Sequence, residues 1–180
     1  MTEGLHVEVR RSGRRFEAEA ALELAADAAT VWQTITDYDA LPRFMPGIRA
    51  CRVIERRALA ADSEQLVIEQ QGEFRFLLFA QPMTVRLNIE HQALRVAEAK
   101  AVRLDLGAFK GRAIEAFEGR YELTPLPARR GAPRTQLRYR ARIALRLPPP
   151  AVGNVAVRHN LFAQLEAVSR EVARRCGEAP

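Results

Sequence analysis

Between Phe16 and Leu24 the chain alternates. Phe16, Ala18, Ala20, Leu22 and Leu24 fall on one side, and Glu17, Glu19 and Glu23 on the other. A period of two marks a strand with one buried face and one wet face. The stretch before it, LHVEVRRSGRRF, predicts a hairpin partner turning at Ser12-Gly13. Asp27 then suits an N-cap, because its carboxylate accepts from the free N–H groups of a first helical turn. Val31, Trp32 and Ile35 share one face of the helix that follows, which should stop near Asp37. A shorter helix restarting at Asp39 would carry Leu41 and Phe44. Pro46-Gly47 ends it with turn chemistry.

From Ile48 to Leu147 the pattern is strand-like. RACRVIER (49–56) and EQLVIEQQ (64–71) read as short strands separated by the polar ALAADS. FRFLLFAQPMTVRLNIE (74–90) is one long strand or two, with Pro82 at a bulge or an edge, since proline cannot donate to a ladder. In ALRVAEAKAVRLDL (93–106) the alternation weakens around Ala97–Ala101. AIEAFEGRYEL (113–123) sets Phe117, Gly119, Tyr121 and Leu123 against Glu118, Arg120 and Glu122. The clearest stretch is TQLRYRARIALRL (135–147): Leu137, Tyr139, Ala141, Ile143, Leu145 and Leu147 alternate with Arg138, Arg140, Arg142 and Arg146. PARRGAPR (127–134), between the last two, reads as a flexible hairpin loop. Strands that follow one another through short turns imply an antiparallel meander with one solvated face.

After Pro148-Pro149-Pro150 the period becomes helical. Val157, Leu161, Leu165, Val168, Val172 and Cys176 form one stripe, with Glu166–Arg170 and Glu171–Arg175 as i,i+4 pairs outside it. The helix runs about six turns at ordinary helical pitch, and its stripe has only the sheet to bury it.

At 180 residues the chain reads as one domain. It is expected to span 16–176, with 1–15 an N-terminal extension or edge strand and 177–180 a short tail. No run approaches the ~18 apolar residues of a membrane span, and MTEGLHVEVRRSGRRF holds no apolar h-region, so a cytoplasmic protein is expected. Cys51 and Cys176 are far apart and make no C-x-x-C, which argues against a zinc site or a disulfide framework. The net charge is +6, and Lys100 and Lys110 are the only lysines. That balance permits an anionic partner without requiring one.

VWQTITDYDALPRFMPGIRACRVIER (31–56), FRFLLF (74–79), GAFKGRAIEAFEGRYEL (107–123) and the proline-rich lead into the last helix together resemble the START-like, or helix-grip, superfamily, in its polyketide cyclase/dehydrase and coenzyme-Q-binding branch. The resemblance implies an α+β helix-grip fold: a curved antiparallel sheet wrapped around a long C-terminal helix, with two short helices after the first core strand. It further implies a cavity between sheet and helix for a hydrophobic small molecule such as a lipid, quinone or polyketide-like compound. Tyr38, Leu41, Phe44 and Met45 would then line a mouth, with Pro42, Pro46 and Gly47 setting the chain's path; equally, these residues would simply plug the end of the core. Deeper ligand contacts would come from the strands through Phe76, Leu78, Met83, Phe109, Phe117, Tyr121 and Tyr139. The helix would add Leu161, Phe162 and Leu165.

Candidate chemistry is thin. Serine occurs only at 12, 63 and 169, and His6, His91 and His159 are scattered without metal-ligand spacing. No glycine-rich phosphate loop is present, so no cofactor or metal is expected. Acid–base work needs only one or two inward polar groups. Tyr121 and Tyr139 are the candidates on the concave face, with core aromatics as the competing reading. Glu98 is a third, since it and Lys100 fall where the alternation weakens and either face is open to them. Asp37 and Asp39 read as helix-end caps. Arg138, Arg140 and Arg142 form a stripe that would meet an anionic membrane or a ribosome, or would pair across strands with Glu118 and Glu122. Three functions stay open: a carrier of a hydrophobic molecule, a cyclase or dehydratase, and an arginine-rich interaction module. The pattern leaves the oligomeric state undetermined.

Overall fold

The computed structural model describes residues 4–76, 79–105, 114–146 and 153–177. The opening alternation forms a hairpin, β1 (His6–Ser12) with β2 (Arg15–Leu24), paired from His6↔Ala21 to Ser12↔Arg15. Phe16, Ala18, Ala20, Leu22 and Leu24 of β2 are buried and its glutamates exposed, and Val7 of β1 joins the same core. α1 (Ala28–Thr36) begins where the Asp27 carboxylate accepts from the Thr30 backbone N–H at 2.9 Å and from its hydroxyl at 2.9 Å. It ends at Asp37. α2 (Leu41–Phe44) is one turn, with proline early in it. Asp39 does not cap it: the N-cap is Ala40, without a side-chain bond, and Asp39 stays exposed.

Six strands follow: β3 (Ile48–Ala60), β4 (Ser63–Phe76), β5 (Phe79–Gln92), β6 (Val96–Asp105), β7 (Ile114–Arg129) and β8 (Ala132–Leu145). Each pairs antiparallel with the next and β2 closes on β8, giving one curved sheet in the order β1-β2-β8-β7-β6-β5-β4-β3. Residues 74–90 are therefore two strands that pair with each other. Pro82 stands opposite Glu73 with no register shift in that ladder, so it marks no bulge there. The polar ALAADS shrinks to a turn at Ala61-Asp62. PARRGAPR is no flexible loop. The β7–β8 ladder runs on to Arg129↔Ala132, and Arg130 and Gly131 take φ of 51° and 79°, the two positive values a tight two-residue hairpin needs. Side-chain alternation fades before these ends, but backbone pairing carries the strands on.

α3 (Gly153–Gly177) is 25 residues long, and its buried positions include Val157, Leu161, Leu165, Val168 and Val172. The stripe ends a turn earlier than its spacing implies, because Cys176 is exposed. Glu171, placed outside the stripe by the sequence pattern, is buried and accepts from Arg174 at 2.7 Å and Arg175 at 2.8 Å. Arg175 also reaches Asp37 at 2.9 Å, tying α3 to the end of α1.

The core has two parts. One gathers β1, β2, β8, α1 and α3 around Phe16, Leu22, Val31, Leu137, Leu165 and Val168. The other joins Tyr38 and Leu41 to Cys51, Leu66, Ile68, Leu87 and Ile89 of β3, β4 and β5. Phe44, Met45 and Phe117 pack against both.

Candidate functional site: a cavity between the sheet and the C-terminal helix

Where the two core clusters face each other, the packing opens. A cavity of about 190 Å³ lies between Val85, Leu87, Phe117, Tyr139 and Ala141 on the sheet and Val157, Leu161 and Gln164 on α3. A second, of about 140 Å³, lies deeper, walled by Ile35, Tyr38, Leu41 and Met45 from the small helices and by Ile68, Ala97, Ala99, Gly119 and Tyr121 from the strands. Both touch Ile48, Gln70, Leu87, Phe117, Tyr139 and Gln164, so they are neighbouring chambers of one space. Each alone is small beside the ~300 Å³ at which ligand pockets usually begin; jointly they just pass it. A surface hollow of about 840 Å³ borders the larger chamber and shares Pro46, Gly47, Ile48, Glu73, Asn160 and Gln164 with it.

That hollow lies downstream of the stretch where the sequence puts a mouth. Tyr38 and Leu41 are only 7% and 5% exposed, so they wall the interior. Gly47 explains the shift. Its φ is +80°, its carbonyl accepts from the Glu73 N–H at 2.8 Å, and a Cβ built on Gly72 would lie 1.9 Å from its oxygen. Two glycines thus press the α2–β3 turn onto β4 and leave Pro46–Arg49 as the rim facing α3.

Among the other expected contacts, Met45, Met83, Phe117, Tyr121, Tyr139 and Leu161 line the chambers. Three do not. Phe44 is packed between the two core clusters. Leu165 is fully buried in the first cluster. Phe162 is exposed on the outer side of α3, one residue out of phase with the buried stripe. The Phe76, Leu78 and Phe109 side chains lie outside the described residues.

The polar groups in the wall are few. Tyr121 and Tyr139 are cross-strand partners with ring centroids 4.6 Å apart. Burial pushes the Tyr121 phenol up to about 12 and the Tyr139 phenol upward as well, so both stay protonated at neutral pH. Gly119 makes room for this pair: a Cβ there would lie 3.0 Å from the Tyr139 hydroxyl. Gln70, Asn160 and Gln164 add amides that sequence patterning missed; only their inward phase on β4 and α3 would have revealed them.

His91 is the other omission. It is buried, its Nε2 lies 2.7 Å from the Tyr38 hydroxyl, and its Nδ1 lies 3.0 Å from Glu64. The signal was present, since His91 continues the inward series Val85, Leu87 and Ile89. Glu98, by contrast, points away from the cavity. It binds Arg120 at 2.9 Å and Lys100 at 3.3 Å on the outer face. Partial burial alone would raise its carboxyl, but those hydrogen bonds outweigh it and hold the group low. That placement removes Glu98 from acid–base chemistry in the cavity. The neighbouring Ala97 and Ala99 take the inward positions.

Arg140 and Arg142 also lie on the outer face, 3.7 Å from Glu19 and 3.8 Å from Glu17. The register sets Glu118 opposite Arg142 and Glu122 opposite Arg138, as expected, but the close ion pairs of Arg140 and Arg142 run to β2, and Glu122 holds Arg120 at 2.7 Å. His159 is exposed on α3. Among the described residues no group of three or more His, Cys, Asp and Glu side chains could hold a metal ion, and no helix is long and apolar enough to cross a membrane.

A curved antiparallel sheet enclosing a cavity against a long C-terminal helix defines the helix-grip, START-like class. Solved structures agree. The chain superposes with a TM-score of 0.67 on a STAR-related lipid transfer protein from Xanthomonas axonopodis, at 18% identity over 95% of this chain and 94% of that one. The Zhui aromatase/cyclase from Streptomyces sp. R1128 gives 0.65 at 18% identity, over 95% and 96%. A START superfamily protein from Mycobacterium smegmatis gives 0.64 at 17%, over 88% and 97%. At such identities the likeness is one of fold. Residues 24–167 match the family described as polyketide cyclase/dehydrase and lipid transport, and the chain belongs to that family. No curated protein matches the sequence significantly.

Proposed function

We infer that this protein binds a hydrophobic small molecule (a lipid, quinone or polyketide-like compound) between the sheet and α3, and carries or shelters it. One observation supports this most: two adjoining, mostly apolar chambers sit where a well-packed domain would have none larger than a water molecule. Their mouth is edged by Pro46, Gly47 and one face of α3, so a guest enters without unfolding the sheet. Met45 and Met83 supply deformable walls. The free thiols of Cys51 and Cys176 fit a reducing, cytoplasmic setting. Mass spectrometry of an organic extract of the purified protein tests the reading. A stoichiometric apolar compound is expected; an empty extract, with no uptake of added quinones or acyl lipids, would sink it.

A second reading, a cyclase or dehydratase, draws on Tyr121 and Tyr139, two protonated phenols facing one apolar space. Such a pair can hold a carbonyl oxygen by hydrogen bonds. Contact of Arg138, Arg140 and Arg142 with an anionic membrane or a ribosome is the least favoured, because Glu17 and Glu19 already answer two of those charges.

A further inference from the structure

The deeper chamber is joined to solvent by a line of polar groups that its binding role does not explain. Tyr38 lines the chamber, at the junction of α1 and α2. Its hydroxyl meets His91 Nε2 at 2.7 Å, and His91 Nδ1 meets Glu64 at 3.0 Å. Glu64 and His91 are direct cross-strand partners on β4 and β5. The imidazole is 4% exposed, whereas Glu64 is 32% exposed and held from outside by Arg56 at 3.5 Å. Trp32 covers the imidazole edge-on at 5.1 Å. The surroundings are otherwise apolar: Leu41, Leu66, Ile68 and Ile89. A core tyrosine needs one hydrogen-bond acceptor, and a backbone carbonyl would serve. Burying an imidazole for that purpose, with a half-buried carboxylate behind it, costs free energy that a carbonyl acceptor would not.

The order of groups also settles the protons. An ionised Glu64 only accepts, so Nδ1 carries the hydrogen, and Nε2 is left to accept the Tyr38 O–H. The Tyr38 oxygen keeps a lone pair. Carboxylate, imidazole and hydroxyl in this sequence let the oxygen take one proton while releasing its own.

We propose that Tyr38, His91 and Glu64 form a proton-accepting relay that acts on an acidic hydroxyl, an enol or a phenol, of a molecule in the deeper chamber. The ligand O–H bond breaks and its proton passes to the Tyr38 oxygen, while the Tyr38 proton moves to His91 Nε2. The products are a ligand oxyanion, a neutral phenol and an imidazolium paired with the Glu64 carboxylate; charge is conserved, and the return path reverses each step. Tyr38 touches the ligand, and His91 and Glu64 act through it as positioning residues. Burial lowers the proton affinity of His91, Glu64 raises it and Arg56 lowers it, with burial the largest, so the imidazole rests neutral at pH 7. The remaining groups acting on Tyr38 are Cys51 and Tyr121, both protonated at neutral pH.

The proposal rests on the cavity-binding reading, and two probes separate them. Nitrobenzene reports entry alone; 4-nitrophenol reports entry and, by its absorbance, its own ionisation. With the full-length protein, bound 4-nitrophenol is expected to ionise at lower pH than in Tyr38→Phe at equal occupancy, by about one unit. Glu64→Gln should move it the same way. ¹⁵N NMR should show the His91 imidazolium appearing with the phenolate. A bound nitrophenol that ionises alike in wild type and both variants, or a His91 that stays neutral throughout, overturns the relay. Should nitrobenzene enter and nitrophenol stay neutral, only the relay falls; if neither enters, the cavity reading falls with it.

Discussion

The two parts of the core follow different packing rules. Around β2, β8 and α3, Leu22, Leu137, Leu165 and Val168 are at most 1% exposed and interlock with Phe16 and Val31. Around β4, β5 and β6, residues on the same concave face border empty space, and the small side chains Ala97, Ala99 and Gly119 stand where larger ones would fill it. The same sheet serves both. What differs is the opposing surface: α3 lies directly on β1 and β2 and touches β4 only lightly, whereas β5 and β6 face it across the chambers. Solid packing on one side anchors the helix, so that the other side stays open without collapse.

The largest effect that would test this contrast comes from truncating matched leucines. Leu165→Ala should cost about 3 kcal/mol, since the site is fully enclosed. Leu87→Ala, which already borders both chambers, should cost nearer 2, because fewer neighbours are lost. Equal losses in urea unfolding would mean that the two sides pack alike.

A smaller effect concerns the helix anchor. The Arg174 and Arg175 guanidinium groups hold the Glu171 carboxyl at about 2, below its usual 4.5. A depressed carboxylate stabilises the fold above its unfolded value and loses that contribution as pH falls through the folded one. Glu171→Gln should therefore lower stability by about 1–2 kcal/mol at pH 7, with the gap closing between pH 4.5 and about 2. A gap that stays constant across that window would show that the anchor is not electrostatic.

The smallest expected change in stability carries the sharpest functional information. Ala99→Leu should fill the deeper chamber with a stability change under about 1 kcal/mol, because it adds apolar volume to an existing void. Uptake of nitrobenzene and 4-nitrophenol should drop steeply. Undiminished uptake would move the binding site to the larger chamber or outside it.

Much of this was legible in linear order. The β2 alternation, the Asp27 cap, the two-part helical segment before Pro46 and the α3 stripe through Val172 all appear in the fold. Periodicity assigned Phe117, Tyr121, Tyr139 and Leu161 to the inner surface, and the family resemblance added Met83; all five line the chambers. It failed where a residue's neighbours come from distant segments. Phe162 as a ligand contact went against the stripe that already held Leu161, and it faces outward; Phe44, expected at a mouth, is instead enclosed between the two core clusters.

By itself, then, the amino-acid order determined which residues face inward along each strand and helix, since that depends only on the periods of two and 3.6. Tertiary structure alone decided that the Gly47–Gly72 contact would shape the hollow beside the chambers, and that Gln70 and Gln164 would line one void from opposite sides. It also brought Tyr38, from the α1–α2 junction, together with His91 of β5 and Glu64 of β4. Those outcomes depend on how far apart two packed surfaces stand. That separation is set by the volumes of all the side chains between them, which no local pattern records.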